Sequence, residues 1–240
     1  MATSRDEVLA RVAIPFGAVV RYSSDGLSYA IDSGVPVFHN LEIRDEVWPH
    51  WMAMARDSAA RALEAWEANP GYSVEKEAEF GESLQLEMRS AMAAICNAAF
   101  AVEAFSASVV HHNARAVAEV DGAAARIHQT MCRSFKLSNN RNVAIRSNLG
   151  RMFELRNRAV HAPGDFTLVG FRADFQVHVH PRFVDFSSSI AQDVVSFASG
   201  LVQELLLVPR PTCAELASWC ADMEDTLNKA QVVSNAYYPF

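Results

Sequence analysis

The run Leu149-Gly-Arg-Met-Phe-Glu-Leu-Arg-Asn-Arg-Ala-Val-His161 sets an arginine where helical periodicity calls for a hydrophobe. At about 100° per residue, Leu149, Met152, Phe153 and Val160 form one apolar stripe, and Arg156 falls in its middle. Asn157 and His161, four apart, share a face that borders the stripe. A guanidinium on a buried face needs a carboxylate or a phosphate, because burying it unpaired costs several kcal/mol. Arginine, amide and imidazole grouped in this way can hold a phosphate ester and move a proton beside it.

The charge around this run points the same way. Arg126, Arg133, Lys136, Arg141, Arg146, Arg151, Arg156 and Arg158 face a single acid, Glu154, so residues 126–161 carry +7 while the whole chain carries −7 and the remainder −14. Such asymmetry marks a phosphate- or nucleic-acid-binding surface, with Arg141, Arg146, Arg151 and Arg158 as its RNA-contacting candidates. The alternative is a solvated helix face whose arginines pair with acids elsewhere in the fold.

These residues need elements to hold them. Ala18–Tyr22, Tyr29–Ile31 and Val35–Phe38, with Val12–Ile14 before them, are β-prone and punctuated by Ser-Asp-Gly and Ser-Gly, giving a β-rich extension over 1–44. A helical domain follows over 45–208. Its first helix runs over about 45–68 and is stopped by Asn-Pro-Gly; its second runs over about 82–112. From Ser90 to Val110 that second helix bears one charge, Glu103, which either pairs with Arg156 or reaches a solvent edge. A third helix over about 114–135 has a break at Asp121-Gly122, and the motif helix covers about 141–161. Alternating apolar residues predict a strand insertion over about 166–186. A helix capped by Ser187-Ser-Ser extends to about 207, and residues 209–240 form a terminal helix, about 212–228, with an aromatic tail.

Phe153-Glu-Leu-Arg-Asn-Arg-Ala-Val-His161, with Arg156, Asn157 in the next position and His161 after four intervening residues, resembles the signature of the HEPN superfamily (higher eukaryotes and prokaryotes nucleotide-binding domains). Ala101-Val-Glu-Ala-Phe105 resembles the acidic element that members carry on an earlier hydrophobic helix. The resemblance implies a mainly α fold, a HEPN-type helical bundle with a small antiparallel β elaboration. It also implies metal-independent endoribonuclease chemistry without a cofactor. RNA's 2′-hydroxyl attacks its own phosphodiester, His161 moves the proton as general base or acid, Arg156 steadies the phosphate charge, Asn157 orients either His161 or the phosphate, and Glu103 fixes Arg156. The products are a 2′,3′-cyclic phosphate and a 5′-hydroxyl. Arg156 and His161 lie about 140° apart on an ideal helix, and family members bring two motif helices together as a homodimer. A toxin–antitoxin or defence setting, with an antitoxin or regulatory protein as partner, belongs to the same expectation. The alternative within the family is a non-catalytic dimeric adaptor that binds RNA or protein, with His161 merely facing the last helical carbonyls.

Other candidates are weaker. His178-x-His180 reads as a polar strand face without a third ligand, and His111-His112 as partners of a helix C-terminus. Cys96, Cys132, Cys213 and Cys220 match no zinc or redox spacing and read as reduced thiols. With no signal-peptide run at residues 1–7, and with Ser90–Val102 too short to span a bilayer, the expectation is a cytoplasmic protein without a membrane partner.

Overall fold

The structure, a computed structural model, describes residues 45–224 except 118, 162–166 and 208–209, together with the strand segments 19–22, 29–32, 35–38 and 41–44. It is mainly helical with small antiparallel ladders. The strands are β1 (Val19–Tyr22), β2 (Tyr29–Asp32), β3 (Val35–Phe38) and β4 (Leu41–Arg44), then β5 (Gly170–Arg172) and β6 (Val177–Val179). They pair antiparallel as β1 with β4, β2 with β3 and β5 with β6. The expected strand over 12–14 and the aromatic tail lie outside the described residues.

The helices are α1 (Trp48–Glu67), α2 (Glu77–His112), α3 (Ala123–Ser134), α4 (Asn139–Val160), α5 (Pro181–Asp185), α6 (Ser188–Leu207) and α7 over 214–224. At about 1.5 Å per residue, the 36 residues of α2 make a rod of about 54 Å that touches most of the bundle. α1 and α6 pack on one side of α2, while α3 and α4 pack on α2 and on each other. By length and hydropathy α2 and α6 are apolar enough to cross a membrane, but here their apolar faces line the bundle core. Alanines make the close approach possible: Ala55, Ala59 and Ala62 of α1 and Ala91, Ala94, Ala98 and Ala101 of α2 are all buried. Larger side chains fill one end, where Trp48 meets Phe105 edge-on and Phe105 tilts against the buried Trp219 of α7.

Two differences from the sequence reading have local causes. The third helix is split: a short 3-10 turn over Ala114–Ala116 precedes α3, and Gly122, at φ +86°, breaks the chain where Asp121-Gly122 signalled it. The strand insertion shortens to the β5–β6 hairpin, because Pro181 starts α5 and carries Phe183 into a helix. Gly170 of β5 sits where an added Cβ would lie 2.8 Å from Val184, so the hairpin closes tightly on α5.

Candidate functional site

α4 buries Ile145, Leu149, Met152, Phe153 and Leu155, while Val160, the last stripe position, is exposed as the helix runs past the core. Arg156 is half-buried on the same side. Its guanidinium carbon lies 5.5 Å from the centroid of Phe100 on α2, and Phe100 in turn packs against Trp51 of α1 at 5.2 Å. Nη1 of Arg156 donates to Oδ1 of Asn157 at 3.0 Å. Its Nε is buried and has no hydrogen-bond partner among the described residues. Cys96, one turn before Phe100, feels the same charge: burial pushes its thiol up, and Arg156 pulls it partly back.

Asn157 thus holds Arg156 with its side chain, and its carbonyl accepts the backbone N–H of His161 at 2.8 Å. His161 leaves the helix at φ −120° and ψ 63°, so its exposed imidazole stands at the C-terminal end of α4 rather than on the helical spiral. Its ring makes no hydrogen bond to a described residue. Arg156 and Asn157 are thus joined directly, and His161 is exposed at the end of the same helix.

Glu103 is not part of that group. Among the described residues no ion pair joins it to Arg156. The guanidinium lands on the Cys96–Phe100 step of α2, while Glu103, one turn further, is exposed and lines a 310 Å³ pocket with Arg126 between α2 and α3. Phe100 and Asn157 do the holding that the sequence assigned to Glu103. The arginines divide as well. Arg141 pairs with Glu204 of α6 and Arg158 with Asp185 of α5, as the alternative reading of the charge run anticipates. Arg146 and Arg151 are exposed and enter no ion pair among the described residues.

The most developed polar cluster lies elsewhere, and sequence reading missed it. Glu87 of α2 and Arg172 of β5 are 1% and 5% exposed. Arg172 grips Glu87 in a fork at 3.0 and 3.2 Å, grips Asp174 in a second fork at 2.9 and 2.6 Å, and donates to the Phe183 carbonyl at 2.8 Å. Glu87 Oε1 also accepts the backbone N–H of Ser188 at 2.8 Å, which caps α6, and Asp174 accepts the Trp66 indole N–H at 2.9 Å. Burial alone would lower the Arg172 guanidinium, but the two carboxylates outweigh it and raise it. The bonds from Arg172 hold the Asp174 carboxyl below its ordinary range. A sequence signal for this existed: Glu87, between Leu84 and Ala91 at helical spacing, falls on the buried stripe of α2 by the reasoning that picked out Arg156.

The histidines of the weaker candidate pairs have structural partners. His180 Nδ1 accepts the Arg182 N–H and caps α5, and His178 packs against Phe171. His112 is 8% exposed, stacks on Trp219 at 5.3 Å and leaves Nε2 buried without a partner. Among the described residues no cluster of His, Cys, Asp and Glu could hold a metal ion. Comparison of the chain with protein-family models, with curated proteins and with solved structures gave no match.

Proposed function

We propose that the chain is a metal-independent endoribonuclease of HEPN type that works as a homodimer through α4. The observation that carries this reading is Arg156: a half-buried guanidinium bonded to an amide, five residues before an exposed histidine at the helix end, with no carboxylate partner among the described residues. Its charge is left for an anion, and a phosphodiester supplies one. On this reading Arg156 binds the non-bridging oxygens and His161 takes the 2′-hydroxyl proton as that oxygen attacks phosphorus. The 5′-oxygen leaves as it takes a proton from the protonated His161 of the second copy, giving a 2′,3′-cyclic phosphate and a 5′-hydroxyl. A second α4 brings another Arg156 and His161 to the same phosphate. The C-terminal end of α4, where Asn157, Val160 and His161 are exposed next to Arg156, is open for that pairing. A toxin or defence role and a neutralising partner protein are parts of the same proposal.

The test is cleavage of end-labelled RNA in the presence of chelator. Wild type cuts and leaves cyclic phosphate ends; His161→Ala and Arg156→Ala lose the cutting by about a hundredfold or more with the helical fold intact. Val160→Arg, at the exposed end of α4, gives a monomer in light scattering and loses cleavage too. Cleavage by His161→Ala at the wild-type rate refutes the enzyme. RNA binding without cleavage by a dimer would assign the chain to the adaptor class instead.

A further inference from the structure

A cleft of 580 Å³ opens between the end of α1, the β5–β6 hairpin and the first turn of α6. Trp66 and Phe171 line it, 37% and 48% exposed, and they are two of the three exposed large aromatic residues among those described. The third, Tyr72, joins the same end of the molecule through Phe80 and Phe175. Trp66 and Phe171 make no ring contact with each other, and Phe171 packs against His178. Asp174 also lines the cleft. Arg172 Nε donates to Oδ1, Arg172 Nη2 and the Trp66 indole donate to Oδ2, and the Asp174 backbone N–H adds a further bond to the carboxylate. Asp174 is held ionised, Trp66 is held by Asp174, and Phe171 stands beside the buried Arg172 on a strand tied to α2 and α5. Sites on such tied elements are pre-organised.

We propose that this cleft binds a nucleobase, the ring stacked on Trp66 and Phe171 and an amino or imino N–H donated to the Asp174 carboxylate. The volume falls in the range of small-molecule sites, about 300–1,000 Å³. Aromatic faces accept any base, and a fixed carboxylate selects a ligand edge that carries N–H. The Arg158–Asp185 pair ties α4 to α5, whose Val184 is part of the cleft wall, so the cleft adjoins the motif helix. Taking the base as one from an RNA substrate rests on the ribonuclease reading; the other source of the same chemistry is a free nucleotide.

The experiment titrates wild type and His161→Ala with the four nucleoside 5′-monophosphates and with a short single-stranded RNA, following tryptophan fluorescence. Saturable quenching is expected in both proteins, lost in Trp66→Phe and weakened about tenfold in Phe171→Leu. Leu168→Ala, strongly exposed outside the cleft lining, binds as wild type. Markedly tighter RNA than mononucleotide binding identifies a substrate base, and equal affinities identify a free nucleotide; both uphold the site. No saturable change with any ligand, or wild-type affinity in Phe171→Leu, overturns it. RNA cut by a protein whose fluorescence ignores nucleotides and RNA alike sinks the cleft alone. Nucleotides bound by a protein that cuts nothing sink the ribonuclease reading alone.

Discussion

Removing Arg172 should cost more than any other single change in the described fold. Arg172→Met deletes five hydrogen bonds of 2.6 to 3.2 Å and leaves the Glu87 carboxylate, 1% exposed, with only the Ser188 N–H. A buried pair broken on one side typically loses about 3–5 kcal/mol, mostly through the abandoned charge. Domains hold about 5–15 kcal/mol in total, so the variant stands near the edge of folding. Glu87→Leu abandons the opposite charge and should fall in the same range, partly offset because Asp174 still holds one fork of Arg172. The double variant restores an apolar contact between α2 and the hairpin, and Asp174, partly solvated, tolerates the loss. It should therefore be more stable than the sum of the singles by about 1–3 kcal/mol. Urea unfolding followed by far-ultraviolet circular dichroism reads this directly. With a slope near 2 kcal/mol/M, each single variant moves the midpoint down by about 2 M. Singles that cost under about 1 kcal/mol, or a cycle that is additive, would refute the claim that this network ties the hairpin to the bundle.

Three further outcomes follow from other parts of the molecule. Burial, then the charges of Arg44 and His111, lower the His112 pKa against the opposing pull of Glu46 and Glu215. The folded state thus resists the proton that the unfolded chain accepts near pH 6.5, so stability declines as pH falls below that value, and the decline should be shallower in His112→Phe, read by thermal unfolding at pH 7.5 and 5.5. Cys220 is buried and its thiol is pushed up to about 12, so a thiol reagent at pH 8 should label it only on unfolding, whereas labelling at the native-state rate of a free thiol contradicts its burial. On the RNA-binding reading, Arg146→Ala and Arg151→Ala should each reduce the salt dependence of RNA binding by about one counterion, and Arg158→Ala, already paired with Asp185, by less; equal slopes for all three would break the distinction between free and paired arginines.

Most of the frame was legible because it depends on periodicity and on punctuation. α4 begins two residues before its expected start and ends at Val160, and α6 fills its expected span from the Ser187-Ser-Ser cap. Gly122 broke the chain because a positive φ is cheap only there, and Pro181 opened a helix because its ring fits the first turn. Pairing across the fold was not legible. Arg156 and Glu103 both carried a charge on an apolar helix, but which residue of α2 meets α4 is a matter of axial register, and the register puts Phe100 opposite the arginine. Glu87 and Arg172, 85 residues apart, could be joined only once the hairpin was seen to fold back on α2. Local rules place a residue on a face. They do not say what stands across from it.

Arg172, buried, and Arg156, half-buried, differ in a way that bears on what each is for. Arg172 spends its N–H groups on two carboxylates and a carbonyl, as a guanidinium kept for packing must when water is excluded. Arg156 has an amide oxygen, the face of a ring and, among the described residues, no acceptor for its Nε, while its side chain is only half-buried. Packing alone accounts poorly for that choice, since methionine or leucine would cover Phe100 without the desolvation cost. The comparison turns this into a measurement. If Arg156 packs only, Arg156→Met should leave stability equal or raised and change nothing else. If it waits for a phosphate, Arg156→Met should be as stable as wild type yet lose RNA binding or cleavage. Arg156→Lys, which keeps the charge without the bidentate fork, should recover only part of it.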